Sequence, residues 1–104
     1  MSAHVCPLAE LGDAVPRRVV VDGMPVCLLR IGDELFAIGD TCTHADVSLS
    51  EGEVDPEARL IECWKHGSCF SLVTGEPDVL PAVVPVPVYK AWVEGDDVVV
   101  GVSA

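Results

Sequence analysis

Gly39-Asp40-Thr41-Cys42-Thr43-His44 and Glu62-Cys63-Trp64-Lys65-His66-Gly67-Ser68-Cys69-Phe70 carry a C-x-H pair and a C-x-x-H pair, with eighteen residues between His44 and Cys63. Each pair brings one thiolate and one imidazole to a short loop. Thiolate is a soft ligand that suits zinc and Fe–S cores, and neutral imidazole binds zinc and iron alike. Two readings follow. The four residues form a mixed-ligand [2Fe–2S] centre, with the cysteines on one iron and the histidines on the other, or a tetrahedral Cys₂His₂ zinc site. The C-x-H spacing is tight for zinc, whose paired ligands usually stand roughly two to four residues apart. A third possibility, that the cysteines are packing residues and the histidines surface filler, is ordinary for a single residue. It does not account for two such pairs in two glycine-bounded loops.

The mixed set has an electrostatic consequence. Two ferric ions and two sulfides sum to about +2, so four thiolates would bring the oxidised centre to about −2, whereas two thiolates and two neutral imidazoles bring it to about 0. A neutral centre accepts an electron more readily than a dianion. Mixed-ligand centres accordingly span about −150 to +300 mV as a class, against about −400 mV for plant-type all-cysteine ones.

Outside the two loops the chain reads as strands and turns. Val15 to Val21 is rich in β-branched residues, Asp22-Gly23 is a hairpin turn, and Met24 to Arg30 returns. Gly32-Asp33 turns the chain into Leu35 to Ile38. Shorter strands are expected at Glu53-Val54, Arg59 to Glu62 and Cys69 to Leu72. Val86 to Val93 and Val98 to Val102 form a last hairpin about Glu94-Gly95-Asp96-Asp97. Leu8 to Leu11 makes one helical turn at most, and no segment has a helical stripe. The regular turn spacing predicts an all-β antiparallel sandwich or barrel. Each ligand pair falls in a loop just after a strand, where rigid elements usually seat chemistry.

The residues around the ligands carry a family resemblance. Beyond the two quoted stretches it includes Ser48-Leu49-Ser50-Glu51-Gly52 and Thr74-Gly75, and it runs from about Val5 to Val102. The chain resembles the small soluble Rieske-type [2Fe–2S] ferredoxins, which serve aromatic-ring dioxygenases or are encoded beside Fe–S assembly genes. The resemblance implies a single Rieske domain over residues 1–104. An antiparallel β base would carry an inserted cluster-binding subdomain at about 40–82. The ligands would be Cys42, His44, Cys63 and His66, with the two histidines at an exposed tip. Ser68 matches a serine that donates a hydrogen bond to a cluster sulfide, and Pro81 matches the proline of a third loop covering the cluster. Gly67 provides the tight turn beside the second pair. The subdomain is too small to bury a core of its own, so the cluster is expected to hold it together.

The departures are informative too. High-potential Rieske proteins of respiratory and photosynthetic complexes carry two further loop cysteines joined as a disulfide. Val47 and Lys65 stand there instead. Phe70 replaces their tyrosine and lacks the hydroxyl that would bond a cysteine ligand. Hydrogen bonds to sulfur favour the reduced, more negative state, so losing a donor lowers the potential.

Composition bounds the function. The 104 residues suffice for one domain, and no apolar run reaches the roughly 18 residues of a membrane span. The first residues have no basic and apolar signal-peptide pattern. Five cysteines less two ligands leave Cys6, Cys27 and Cys69, an odd number that fits a reducing cytoplasm. Cys6 and Cys27 lie in strand-like runs, and Cys69 is expected to be near the ligands or buried rather than a ligand. Acidic residues outnumber basic ones 17 to 6, for a net charge of −11. That disfavours nucleic acid and favours a monomer that meets basic protein surfaces. An oxygenase would also need a mononuclear iron on two histidines and a carboxylate. Only His4 remains, so this chain could feed such an enzyme but not be one. The expected role is a one-electron carrier between a reductase, expected to be a flavoprotein, and an acceptor such as a terminal oxygenase. Fe–S assembly, redox sensing and a zinc-bound structural module stand as alternatives. Trp64, Lys65, Ala45 and Asp46 are candidates for the docking rim.

The missing sulfur donor at Phe70 and the histidines expected at an exposed tip make one joint prediction. Redox titration gives a midpoint potential below about +150 mV, in the lower part of the class range. It falls at alkaline pH as the ring N–H groups of metal-bound His44 and His66 begin to ionise.

Overall fold

Val26-Cys27-Leu28-Leu29 is an unbroken apolar run, and all four residues are fully buried. Such a run belongs to a strand covered on both faces. In the computed structural model, which describes residues 2–42, 47–65, 67–78 and 84–101, it forms the middle of β3 (Met24–Ile31). Alternate residues serve two different cores. Val26 and Leu28 pack with Cys6, Leu11, Val19, Val21, Ala37, Val98 and Val100. Cys27 and Leu29 pack with Ile38, Cys42, Leu49, Ile61, Cys63, Phe70, Leu72 and Val86.

The first core lies inside a six-stranded antiparallel sheet. Its strands are β1 (Ser2–Pro7), β2 (Arg17–Val21), β3, β4 (Glu34–Gly39), β8 (Val88–Glu94) and β9 (Asp97–Gly101). Their order is β1-β9-β8-β4-β3-β2, and β1 comes back against β2, so the sheet curls towards a closed barrel. Curling removes the exposed edges that an open sheet would leave. Between β4 and β8 the chain leaves this sheet and builds a second one from β5 (Glu53–Asp55), β6 (Leu60–Glu62) and β7 (Cys69–Ser71). In register across it, Val54, Ile61 and Phe70 form the row facing the second core. Arg59, before β6, pairs with Glu34 at the start of β4 and ties the two sheets at one edge.

The all-β antiparallel reading is therefore correct, and each expected strand is present. Boundaries moved where proline intervenes. The strand expected from Val15 begins at Arg17, after Pro16 and a turn in which Ala14 has positive φ and Val15 N–H donates to Gly12. The strand expected from Val86 begins at Val88, because Pro85 and Pro87 have no N–H for a ladder. The Leu8 to Leu11 turn is a single 3₁₀ turn at Leu8–Glu10. Among the described residues no helix is long and apolar enough to cross a membrane.

The two-faced role of β3 and the alternation of β2 can be tested by substitution. Leu28→Ala costs about 2–5 kcal/mol, as for other leucines deleted from a close-packed interior. Val20→Thr, on the outer face of β2 at 54% exposure, changes stability by no more than about 0.5 kcal/mol. Denaturant unfolding of the two variants measures both.

Candidate metal centre

Cys42 and Cys63 belong to the same buried layer between the sheets, at 2% and 0% exposure. The chain reaches them in parallel ways. Cys42 follows β4 by three residues, and its N–H donates to the carbonyl of Val47 at 2.8 Å. Cys63 follows β6 directly, and its N–H donates to the carbonyl of Ser68 at 2.7 Å. Each cysteine thus opens a six-residue loop closed by its own amide, 42–47 and 63–68. In the second loop Gly67 donates back to the Cys63 carbonyl at 2.9 Å with φ of +77°, a conformation that favours glycine.

The necks of the loops are joined. Gly52 leaves the 3₁₀ turn Leu49–Glu51 and lies against Glu62, the residue before Cys63. A Cβ built on Gly52 would sit 1.8 Å from the Glu62 carbonyl oxygen, so only glycine permits this approach.

A carboxylate holds the first neck. Asp40 is 1% exposed. Its Oδ1 accepts the Ser50 N–H at 2.9 Å, its Oδ2 accepts the Ser48 hydroxyl, and the Arg18 guanidinium lies 3.3 Å from Oδ2. Its backbone is used as well: its N–H donates to Pro25 at 3.2 Å and its carbonyl accepts Leu49 N–H at 2.6 Å. No motif announces this hub, because Arg18, Ser48 and Ser50 come from separate parts of the chain. An acidic residue two positions before a candidate ligand was the only local signal.

Of the other residues singled out from sequence, Ser68 and Phe70 are fully buried beside the second loop, and Phe70 packs in the same layer as both cysteines. His44, His66 and Pro81 lie outside the described residues, as do Ala45 and Asp46. Trp64 is exposed at 54%, and Lys65 is exposed too. Cys69 lies on the face of β7 opposite Phe70, turned away from the core and half-buried. Burial, then the charges of Asp78, Glu62 and Asp55, push its thiol pKa up. Cys27 is completely buried, and burial followed by the charge of Asp40 pushes its pKa up strongly. Both remain thiols rather than thiolates at neutral pH, which makes them inert. Among the described residues no three acidic, cysteine or histidine side chains form a metal cage by themselves. The donor chemistry nonetheless fits an Fe–S group: two thiols lie in one apolar layer, each at the mouth of a loop closed in the same way, and each loop has one histidine in its sequence.

A profile of the Rieske [2Fe–2S] domain matches residues 2–90, and the chain belongs to that family. Its cofactor is the Rieske [2Fe–2S] cluster, and it is an electron-transfer protein rather than a catalyst. That sets aside the zinc reading. The ferredoxin CarAc of Metapseudomonas resinovorans is 39% identical over 97 residues, covering 92% of this chain and 89% of that protein. The ferredoxin of carbazole 1,9a-dioxygenase from Nocardioides aromaticivorans IC177 superposes with a TM-score of 0.92 at 37% identity, covering 96% of each chain. A complex of reduced oxygenase and oxidised ferredoxin in carbazole 1,9a-dioxygenase contains a chain that matches with a TM-score of 0.87 at 38% identity, over 95% of this chain and 91% of that one.

The close approach at Gly52 predicts a coupling between the two loops. Gly52→Ala forces the Glu62 carbonyl aside and costs about 1–3 kcal/mol. The purified variant holds less iron per chain than the wild type, by metal analysis.

Proposed function

We propose that this chain carries single electrons from a reductase to the terminal oxygenase of a dioxygenase system, in the cytoplasm, with its cluster held by Cys42, His44, Cys63 and His66. The observation that carries the assignment is the placement of Cys42 and Cys63 in one buried layer, each opening a loop that also contains a histidine. When bound, the group takes up one electron and gives it back without making or breaking a covalent bond of the protein. The chain's own residues set the conditions. The apolar layer of Leu49, Ile61, Phe70 and Leu72 excludes water from the thiolate side. Ser68 would donate a hydrogen bond to the bound group and Phe70, without a hydroxyl, would not, which would keep the potential low for its class. His44 and His66 would supply the imidazole ligands, through which the electron would leave, and Pro81 is the candidate for the residue of a third loop beside the site. Residues 40–82 form the cluster-binding subdomain of a single Rieske domain.

Trp64 and Lys65 support a docking role because both are exposed in the loop that carries Cys63 and His66. An exposed tryptophan flanked by a flexible cation is a suitable contact for a transient partner. The net charge of −11 favours basic surfaces on the reductase and the oxygenase, and it raises encounter rates at low salt. Oxygenase ferredoxins among the relatives support this acceptor over an Fe–S assembly scaffold or a redox sensor.

Substitution separates ligands from bystanders. Cys42→Ser and Cys63→Ser lose the cluster absorption and its EPR signal, whereas Cys69→Ser keeps both. Hydrogen exchange of the apo protein is fast over residues 40–82 and slow in the six-stranded sheet. Stopped-flow mixing of reduced protein with an oxidised ring-hydroxylating oxygenase shows electron transfer that slows as salt rises. A cluster retained in Cys42→Ser or Cys63→Ser contradicts the ligand set, and no transfer to any oxygenase contradicts the acceptor.

A further inference from the structure

Asp40 follows the end of β4, its side chain is 2% exposed, and its carboxylate is held by Ser48, Ser50 and Arg18 from other segments. Ser48 and Ser50 lie past the far end of the Cys42 loop, and Arg18 lies on β2. With its backbone carbonyl bound to Leu49 and its side chain bound to Ser48 and Ser50, Asp40 clamps the exit of the loop to its entrance. Asp40 also sits two residues from Cys42, and chain geometry keeps their Cα atoms within about 7.5 Å. A negative charge buried against an apolar layer is poorly screened.

We infer that Asp40 is a positioning residue of the cluster site. Its buried carboxylate pins the Cys42 loop, and Arg18 offsets the charge that this pin brings beside the cluster. The inference rests on the reading of Cys42 as a ligand. Reduction adds one electron to the centre, with no bond made or broken, while the reductase is oxidised by one. That added charge is opposed by the Asp40 carboxylate and favoured by the Arg18 guanidinium. A neutral amide has one acceptor oxygen and would leave its NH2 facing either the Ser50 N–H or the Arg18 guanidinium. The carboxylate can accept from a hydroxyl and an amide at once while binding a guanidinium. Arg18 is 53% exposed, so water and salt screen its share. The potential therefore carries an ionic-strength dependence that originates in this pair.

The test uses the cluster-loaded protein and four variants. Spectroelectrochemical titration of Arg18→Gln shows a midpoint potential below the wild type, with the gap shrinking at high salt. Asp40→Asn shows one above it. A purely structural role for the pair would move both in the same direction, through a loosened loop, and that result overturns the charge inference. If Asp40→Asn fails to load its cluster, Arg18→Gln decides alone, and an unchanged potential at low salt overturns the inference. Ser48→Ala removes one bond of the pin and no charge. Exchange of its Ser50 amide, measured on the cluster-loaded protein by mass spectrometry, is several-fold faster than in wild type, and an unchanged rate overturns the pin. A Cys42→Ser protein that kept its iron would overturn the ligand reading and this inference together. Loss of iron there, with Arg18→Gln unmoved, would overturn this inference only.

Discussion

Two cysteine thiols in the apolar layer between a curled six-stranded sheet and a three-stranded one are the constraint on which this molecule is built. A buried thiolate without a partner is costly, and binding to a metal group is what makes it tolerable. The small sheet has three strands of three residues each, too few to be stable by themselves. It packs through Val54, Ile61 and Phe70 onto the layer that also holds Leu29 and Ile38. The barrel gives that layer one wall and the small sheet gives it the other.

The same economy governs the potential. Oxidised and reduced forms differ by a single charge, so every fixed charge and hydrogen bond near the cluster acts on that difference. Phe70 withholds a hydroxyl and Val47 and Lys65 leave no disulfide, while Asp40 adds a negative charge that Arg18 only partly offsets. On the proposed ligand set, the lost hydroxyl and the added negative charge both disfavour the reduced state, which is what lowers a potential. A carrier that hands electrons onward gains driving force from that direction.

Charge and shape divide the labour of recognition. An excess of acidic groups acts at long range and in any orientation, whereas Trp64 and Lys65 are confined to one loop. Long-range attraction speeds encounter, and a small exposed apolar contact allows rapid release. That combination suits a protein that meets two partners in turn.

The sequence alone determined the cofactor class, the β architecture and the candidate ligands, because each is encoded locally. A ligand pair needs two residues in one loop, a hairpin needs Asp22-Gly23 or Gly95-Asp96, and a strand needs β-branched alternation. What the tertiary structure alone decided was everything that depends on distant segments meeting. Examples are the return of β1 against β2, the turning of Cys69 away from the core, the seating of Gly52 on the Glu62 carbonyl, and the Asp40 hub that joins Arg18 to Ser48 and Ser50. A buried carboxylate looks like any other acidic residue in a chain with 17 of them. Its role exists only once folding removes water from around it and brings its partners within reach.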